Sequence, residues 1–224
     1  MKKVLFTLLC LCLLLSIVSC KQTHHGSDKE LYDDILSQYT DLLTAKYNGE
    51  ELPKLNTKGM DKRESEITKV LHGIVDACKD TEDVYNQGYG YKDMDGNGTL
   101  ELILLTKFTT VNAIFTISDE KPVLLESNYG TGDVFIFAPK NRLFMMRSTE
   151  NDNIQKDIFY TCRVDGDKMA YDAVYGIVKD QEQKEITERF QMVDGKRLLI
   201  DKETFDELNR EYKTAIMPGY THSK

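Results

Sequence analysis

The chain has 224 residues and carries 37 acidic against 29 basic side chains, a formal charge of −8 at pH 7, with 41% hydrophobic residues. A negative surplus repels phosphate backbones, which argues against nucleic acid as a partner, and the apolar content is too high for a disordered chain. The length suits one well-filled core or two small lobes.

Residues 1–19 read as a signal peptide: Lys2 and Lys3 precede an apolar run from Val4 to Val18, and small Ser19 follows just before Cys20. A membrane span needs about 20 apolar residues, more than this run supplies, so cleavage is expected rather than insertion. The stretch "IVSC" resembles the lipobox of bacterial lipoproteins, with Val18 where a small residue is usual. That resemblance implies that Cys20 becomes the mature N-terminus and carries a palmitate-bearing lipid, so that the protein meets the membrane through Cys20 at its extracytoplasmic face. An ordinary signal peptide with an incidental cysteine is the alternative. Loss of residues 1–19 removes two lysines and no acid, leaving 27 basic against 37 acidic residues, a balance of −10. Residues 20–27 read as a lipidated polar tether in which His24 and His25 are solvated linker, followed by a single α+β domain over 28–216 and a tail over 217–224.

The first predicted helix is "SDKELYDDILSQYTDLLTAKYNG". Ser27 stands three residues before Glu30 in a capping-box pattern, and Leu31, Ile35, Leu36, Tyr39, Leu42, Leu43 and Tyr47 form one apolar stripe. Asn48 and Gly49 end it, and "EELPKLNTKGMDK" reads as a loop. A second helix is expected from about Glu64 to Lys79, with Ile67, Val70, Leu71, Ile74, Val75 and Cys78 at helical spacing. His72, beside that stripe, reads as a solvated or boundary residue.

The stretch "GYKDMDGNGTLELILL" follows. In it Asp93, Asp95, Asn97 and Glu101 occupy positions one, three, five and nine of a loop, with the Thr99 carbonyl at position seven and Gly98 supplying a tight turn at position six. A hard cation such as calcium takes six to eight oxygen ligands, and alternating donors can wrap one ion from several sides. A metal-free Asx turn uses the same residue types and is the competing reading. An EF-hand fits poorly: its twelfth position should be a bidentate Glu between helices, whereas Leu104 stands there and both flanks look β-rich. "TLELILL" reads as a central strand buried on both faces, with Glu101 turned to the loop side. Tyr85, Tyr89 and Tyr91 nearby could stack on a sugar, though rim or core packing is the commoner use of such tyrosines.

From Leu100 onward short β-rich runs alternate with turn signals such as "SDEKP", "NYGTGD", "VDGDK" and "VDGK". They predict an antiparallel β-meander of about eight or nine strands, a curved sheet or a sandwich-like arrangement. "DKETFDELNREYKTAI" then predicts a closing helix whose Phe205, Leu208 and Tyr212 fold back on the sheet. Cys78 and Cys162 are the two cysteines left to the folded part, both expected to point inward. One disulfide between them and two buried free thiols are equally compatible with the pattern.

The order as a whole, from lipobox through "LYDDILSQYTDLL", the Asp-rich loop and the meander to "ERFQMVDGKRLLIDKETFDELNREY", resembles uncharacterised extracytoplasmic lipoproteins of Gram-positive bacteria. The resemblance covers most of residues 27–214, and its specific part is the single loop of the pattern D-x-D-G-N/D-G-x-x-E-L, which is similar to the loops of FG-GAP repeats. It implies calcium at Asp93, Asp95, Asn97 and Glu101 and brings no catalytic activity. Two function classes follow: a lipid-anchored domain with one structural calcium and a binding or structural role toward an unknown protein or glycan, or an extracellular hydrolase acting on glycans or peptides. No catalytic constellation is found: the chain has no G-x-S-x-G elbow and no H-E-x-x-H helix.

Overall fold

The computed structural model describes residues 25–107, 109–130, 133–210, 215–217 and 219–222. The expected signal peptide, Cys20 and His24 lie outside the described residues, as does Tyr212. No helix among the described residues is long and apolar enough to cross a membrane.

Among the described residues four helices precede the first strand, where two were expected. The first predicted helix is divided into α1 (His25–Glu30) and α2 (Asp33–Tyr47). The break falls where Tyr32 drops into the sheet: it is fully buried, and its hydroxyl donates to the Leu100 carbonyl at 2.9 Å, with the Phe115 carbonyl 3.2 Å away. α1 begins at His25, inside the stretch read as a tether and ahead of the start that the Ser27–Glu30 spacing suggested. The reciprocal capping box belongs to α3 (Lys62–Asp76), where Asp61 accepts the Glu64 N–H at 2.9 Å and the Glu64 carboxylate accepts the Asp61 N–H at 3.3 Å. A short α4 (Thr81–Tyr85), capped by Asp80, was not anticipated, because five residues are too few to show a helical period. His72 is a boundary residue, its Nε2 donating to the Pro53 carbonyl at 2.9 Å.

The strands are β1 (Gln87–Lys92), β2 (Glu101–Thr106), β3 (Thr110–Ser118), β4 (Lys121–Ser127), β5 (Val134–Ala138), β6 (Arg142–Asn151), β7 (Ile154–Asp165), β8 (Lys168–Asp180), β9 (Glu185–Val193), β10 (Lys196–Leu199) and β11 (Thr221–His222), with α5 (Lys202–Arg210) between the last two. They make one sheet of eleven strands in the order β10-β9-β8-β7-β6-β5-β3-β2-β1-β11, with β4 also on β3 and every pair antiparallel. The predicted meander corresponds to β2 through β10. β1 is the upstream flank of the Asp-rich loop, read above as β-rich, whereas β11 lies in the segment read as a tail and was not anticipated. That segment joins the domain, since Met217 is buried and Thr221 and His222 pair with Tyr89 and Gly88.

β2 is buried along most of its length, as its unbroken apolar run requires. Leu102 and Leu104 pack with Ala113 and Phe115 against α2 and α3, while Ile103 and Leu105 face Phe135, Phe137, Leu143, Met145, Cys162 and Val164. Strands of one continuous sheet can meet in this way only if the sheet curls, so that β5–β7 close over β2 and β3. Cys78 belongs to the helix-side cluster and Cys162 to the other, so β2 and β3 stand between them. The disulfide considered above is not formed, and both residues are buried free thiols. Beyond the curl, β7 and β8 carry a third cluster, in which α5 folds back as predicted and Phe205 packs edge-on to Tyr175 and Phe159 at 5.6 and 6.0 Å.

Because Leu104 is fully buried between two layers, Leu104→Ala is expected to lower the unfolding free energy by about 2–5 kcal/mol in urea titrations. Leu199→Ala, at a position 72% exposed, is the matched control and should stay within about 0.5 kcal/mol of the parent.

Candidate metal centre

The Asp-rich loop joins β1 to β2, and the two strands pair from Gln87↔Thr106 to Lys92↔Glu101. Gly96 and Gly98 take φ of +77° and +94°, a region closed to most side chains, which is what lets the loop reverse within so few residues. Asp93 organises the turn, accepting the N–H groups of Gly96 at 2.7 Å and Gly98 at 3.0 Å. Asp95 accepts the Asn97 N–H at 3.0 Å and the Asn97 side-chain amide at 2.9 Å.

Distant segments hold this loop in place. Gly166, in the β7–β8 turn, donates its N–H to Asp95 at 2.7 Å, Asn141 from the β5–β6 turn reaches the Asp93 carbonyl at 3.4 Å, and Asp28 accepts the Leu100 N–H at 3.3 Å. Met94 turns inward and joins the cluster of Ile103, Phe137 and Val164. The loop is therefore a plug over one end of the curled sheet as well as a connection. None of these partners was legible in the sequence, because Gly166 and Asn141 come from distant turns and Asp28 from α1, all brought near only by the tertiary fold.

Of the donors expected from the spacing, the carboxylates of Asp93, Asp95 and Glu101 converge, each offering an oxygen within 4.8 Å of the others. Glu101 is fully buried, accepting the Met94 N–H at 2.8 Å and the Thr116 hydroxyl at 3.1 Å. Burial pushes its carboxyl up to about 7, the neighbouring Asp95 and Asp93 charges add to the rise, and the two hydrogen bonds oppose it. Asn97 sits at the cluster's edge, its Oδ1 accepting the Thr99 N–H at 2.6 Å while its amide nitrogen faces Asp95. Of the five expected ligands, three carboxylates are thus in place. Asn97 is committed within the loop and would have to turn to present its oxygen, and the Thr99 carbonyl lies on the same stretch of backbone. An all-oxygen set with a buried carboxylate at its floor suits a hard cation and offers nothing to soft metals.

The tyrosines beside the loop pack more than they display. Tyr89 and Tyr91 meet edge-to-face at 5.8 Å against the helix-side core, and Lys29 lies 5.1 Å over the Tyr91 ring. Tyr85 is exposed. Two further buried acids are engaged elsewhere: Asp133 takes both arms of Arg147 at 2.8 and 2.5 Å, and Asp157 is held by Lys179 at 2.6 Å, the Ser148 hydroxyl at 2.6 Å and the Gln155 amide at 2.7 Å.

No family model, curated protein or solved structure matches this chain. The resemblance to Gram-positive lipoproteins accordingly rests on the loop pattern and the order of elements alone.

Burial by itself would raise the Asp157 carboxyl, but Lys179, Ser148 and Gln155 outweigh it and hold the group below the usual carboxylate range. A depressed folded-state value contributes stability that is present above the unfolded carboxylate range, near pH 4, and is lost as pH falls through the folded value. Asp157→Asn is expected to lower the melting temperature at pH 7 and to converge with the parent near pH 2. Parallel melting curves across that range would contradict this account.

Proposed function

We propose that the protein is a lipid-anchored extracytoplasmic domain with a binding or structural role, and that one calcium ion held by the 93–101 loop pins its curled sheet. The observation that carries the ion is the convergence of Asp93, Asp95 and fully buried Glu101 at the mouth of β2. Three carboxylates so close repel one another, and one of them is cut off from water. A divalent cation relieves both costs together, whereas a proton on Glu101 relieves only part of them. Calcium is preferred to magnesium because it accepts irregular coordination completed by waters around three carboxylates, whereas magnesium demands a strict octahedron.

The anchor rests on Lys2, Lys3, the apolar run and "IVSC" ahead of Cys20. An extracytoplasmic address supports the ion, since calcium outside the cell is abundant enough to fill a site with Kd of about 10⁻⁴ to 10⁻³ M. The binding or structural reading is favoured over the hydrolase because the buried acids Asp133 and Asp157 are each tied into ion pairs, and Glu101 lies at the floor of the metal loop. The ion's task is stabilisation rather than switching: the loop joins two paired strands, one of them buried on both faces, rather than two movable helices.

Calcium at 100 times its Kd should stabilise the full-length protein by about 2.7 kcal/mol, read as a rise in melting temperature over the same protein in EDTA. Asp95→Ala should abolish the rise. Glu101→Gln keeps the side chain's size and the Met94 hydrogen bond, with its amide donating to the Thr116 hydroxyl in place of accepting from it, so it should leave the EDTA curve no lower than the parent's while weakening the response to calcium. Identical parent curves in EDTA and millimolar calcium would return the loop to a polar turn.

Fractionation tests the anchor separately. Cys20→Ser should move the protein from the membrane to the soluble fraction, and unchanged membrane retention would refute lipidation at that residue.

A further inference from the structure

Beside the C-terminal end of α3, lined by Gly73, Ile74, Ala77 and Cys78, lies a cavity of about 520 Å³ that the metal centre does not use. Its floor is a cluster of neutral polar side chains. Gln87 Oε1 accepts from the Tyr39 hydroxyl at 3.0 Å and the Asn112 amide at 2.8 Å, Asn112 also donates to the Thr106 hydroxyl at 3.0 Å, and Asn128 donates to Asn112 Oδ1 at 3.1 Å. Gln87 and Asn112 are themselves buried. An amide cluster of this kind stabilises a core only if it is satisfied, and here the groups hold one another in fixed orientations.

The wall is Tyr129. A Cβ on Gly73 would overlap its ring, so the absence of a side chain at Gly73 is what lets the ring lie flat against α3. Tyr129 nevertheless remains 47% exposed and lines the cavity. An aromatic ring braced from behind and open in front is a platform for an apolar face. Asp83 completes the polar side, and among the described residues lining the cavity none is basic.

We infer that this cavity binds one or two units of a neutral saccharide, with Tyr129 under the C–H face of a sugar ring, Asn128, Thr106 and Asp83 at its hydroxyl edge, and buried Asn112 holding Asn128 and Thr106 in place behind them. Sugar hydroxyls both donate and accept, as amide and threonine groups do. The volume lies within the range of small-molecule sites. With no basic lining residue and a carboxylate at the rim, an anionic ligand is repelled, and one carboxylate does not hold a hard cation. The inference deepens the binding reading above by naming the ligand class, and it requires neither the calcium ion nor the lipid.

The test is ligand-observed NMR on the full-length protein in a detergent without a sugar headgroup, with chitotriose, cellotriose and maltotriose as probes and alanine tripeptide as the peptide comparison. At least one saccharide is expected to bind with Kd of about 1 mM or tighter. Tyr129→Ala should weaken it tenfold or more, Tyr129→Phe should retain it, and Gly73→Ala, by displacing the ring, should weaken it with the melting curve still cooperative. Tyr85→Ala, at an exposed tyrosine outside the cavity, should change nothing. Failure of all three saccharides, a preference for the tripeptide, or unaltered binding in Tyr129→Ala would each overturn the inference. Repeating the titration in EDTA separates this result from the fate of the calcium reading, which is judged on melting temperature alone.

Discussion

Everything else in this molecule is arranged around burying β2 on both faces. A strand with Leu102 and Leu104 on one side and Ile103 and Leu105 on the other needs two apolar partners, and a single flat sheet supplies neither. The helices α2 and α3 supply the first layer. The second is made by the sheet itself, which curls until Phe135, Phe137, Leu143 and Val164 lie over β2. Each fully buried leucine or isoleucine is worth about 1.5–3 kcal/mol in this setting, so four of them on one strand form a large share of a marginal total.

Curling has a consequence at the end of the sheet, where the backbone leading into β2 would otherwise leave the core open. Met94 fills that end, and Asp93 and Asp95 turn the chain back while the Gly166 and Asn141 segments hold it. Glu101 sits at the junction with no exposure to water. A buried carboxylate loses several kcal/mol of solvation, and its two hydrogen bonds return about 1.5–3 kcal/mol each. Desolvation, joined by the neighbouring Asp95 and Asp93 charges, outweighs those hydrogen bonds, so the carboxyl is pushed up to about 7.

The outer part of the sheet is stabilised differently. Gly176 leaves room for the Phe190 ring, which lies beneath the Arg197 guanidinium at 4.3 Å, and Arg197 pairs with Glu188. On the opposite face Phe205 from α5 covers Tyr175 and Phe159. The edge strand β10 is four residues long and begins with Lys196 and Arg197, a combination that discourages pairing with another chain.

Local patterns in the sequence were sufficient for what is local. The stripes of α2 and α3, the strands β2 to β10, the closing helix and the spacing of Asp93, Asp95 and Glu101 depend on periods of two or 3.6 residues and on turn chemistry, all readable within a dozen positions. Tertiary structure alone decided which faces met. It broke the first helix at Tyr32, whose partners are 68 and 83 residues away, and recruited Thr221 and His222 to β1. It also set Cys78 and Cys162 on opposite sides of β2 and β3, and laid Tyr129 against Gly73. The reason is that curl is a property of the whole sheet: a residue's own pattern says that it must be buried, and only the closed surface determines against what.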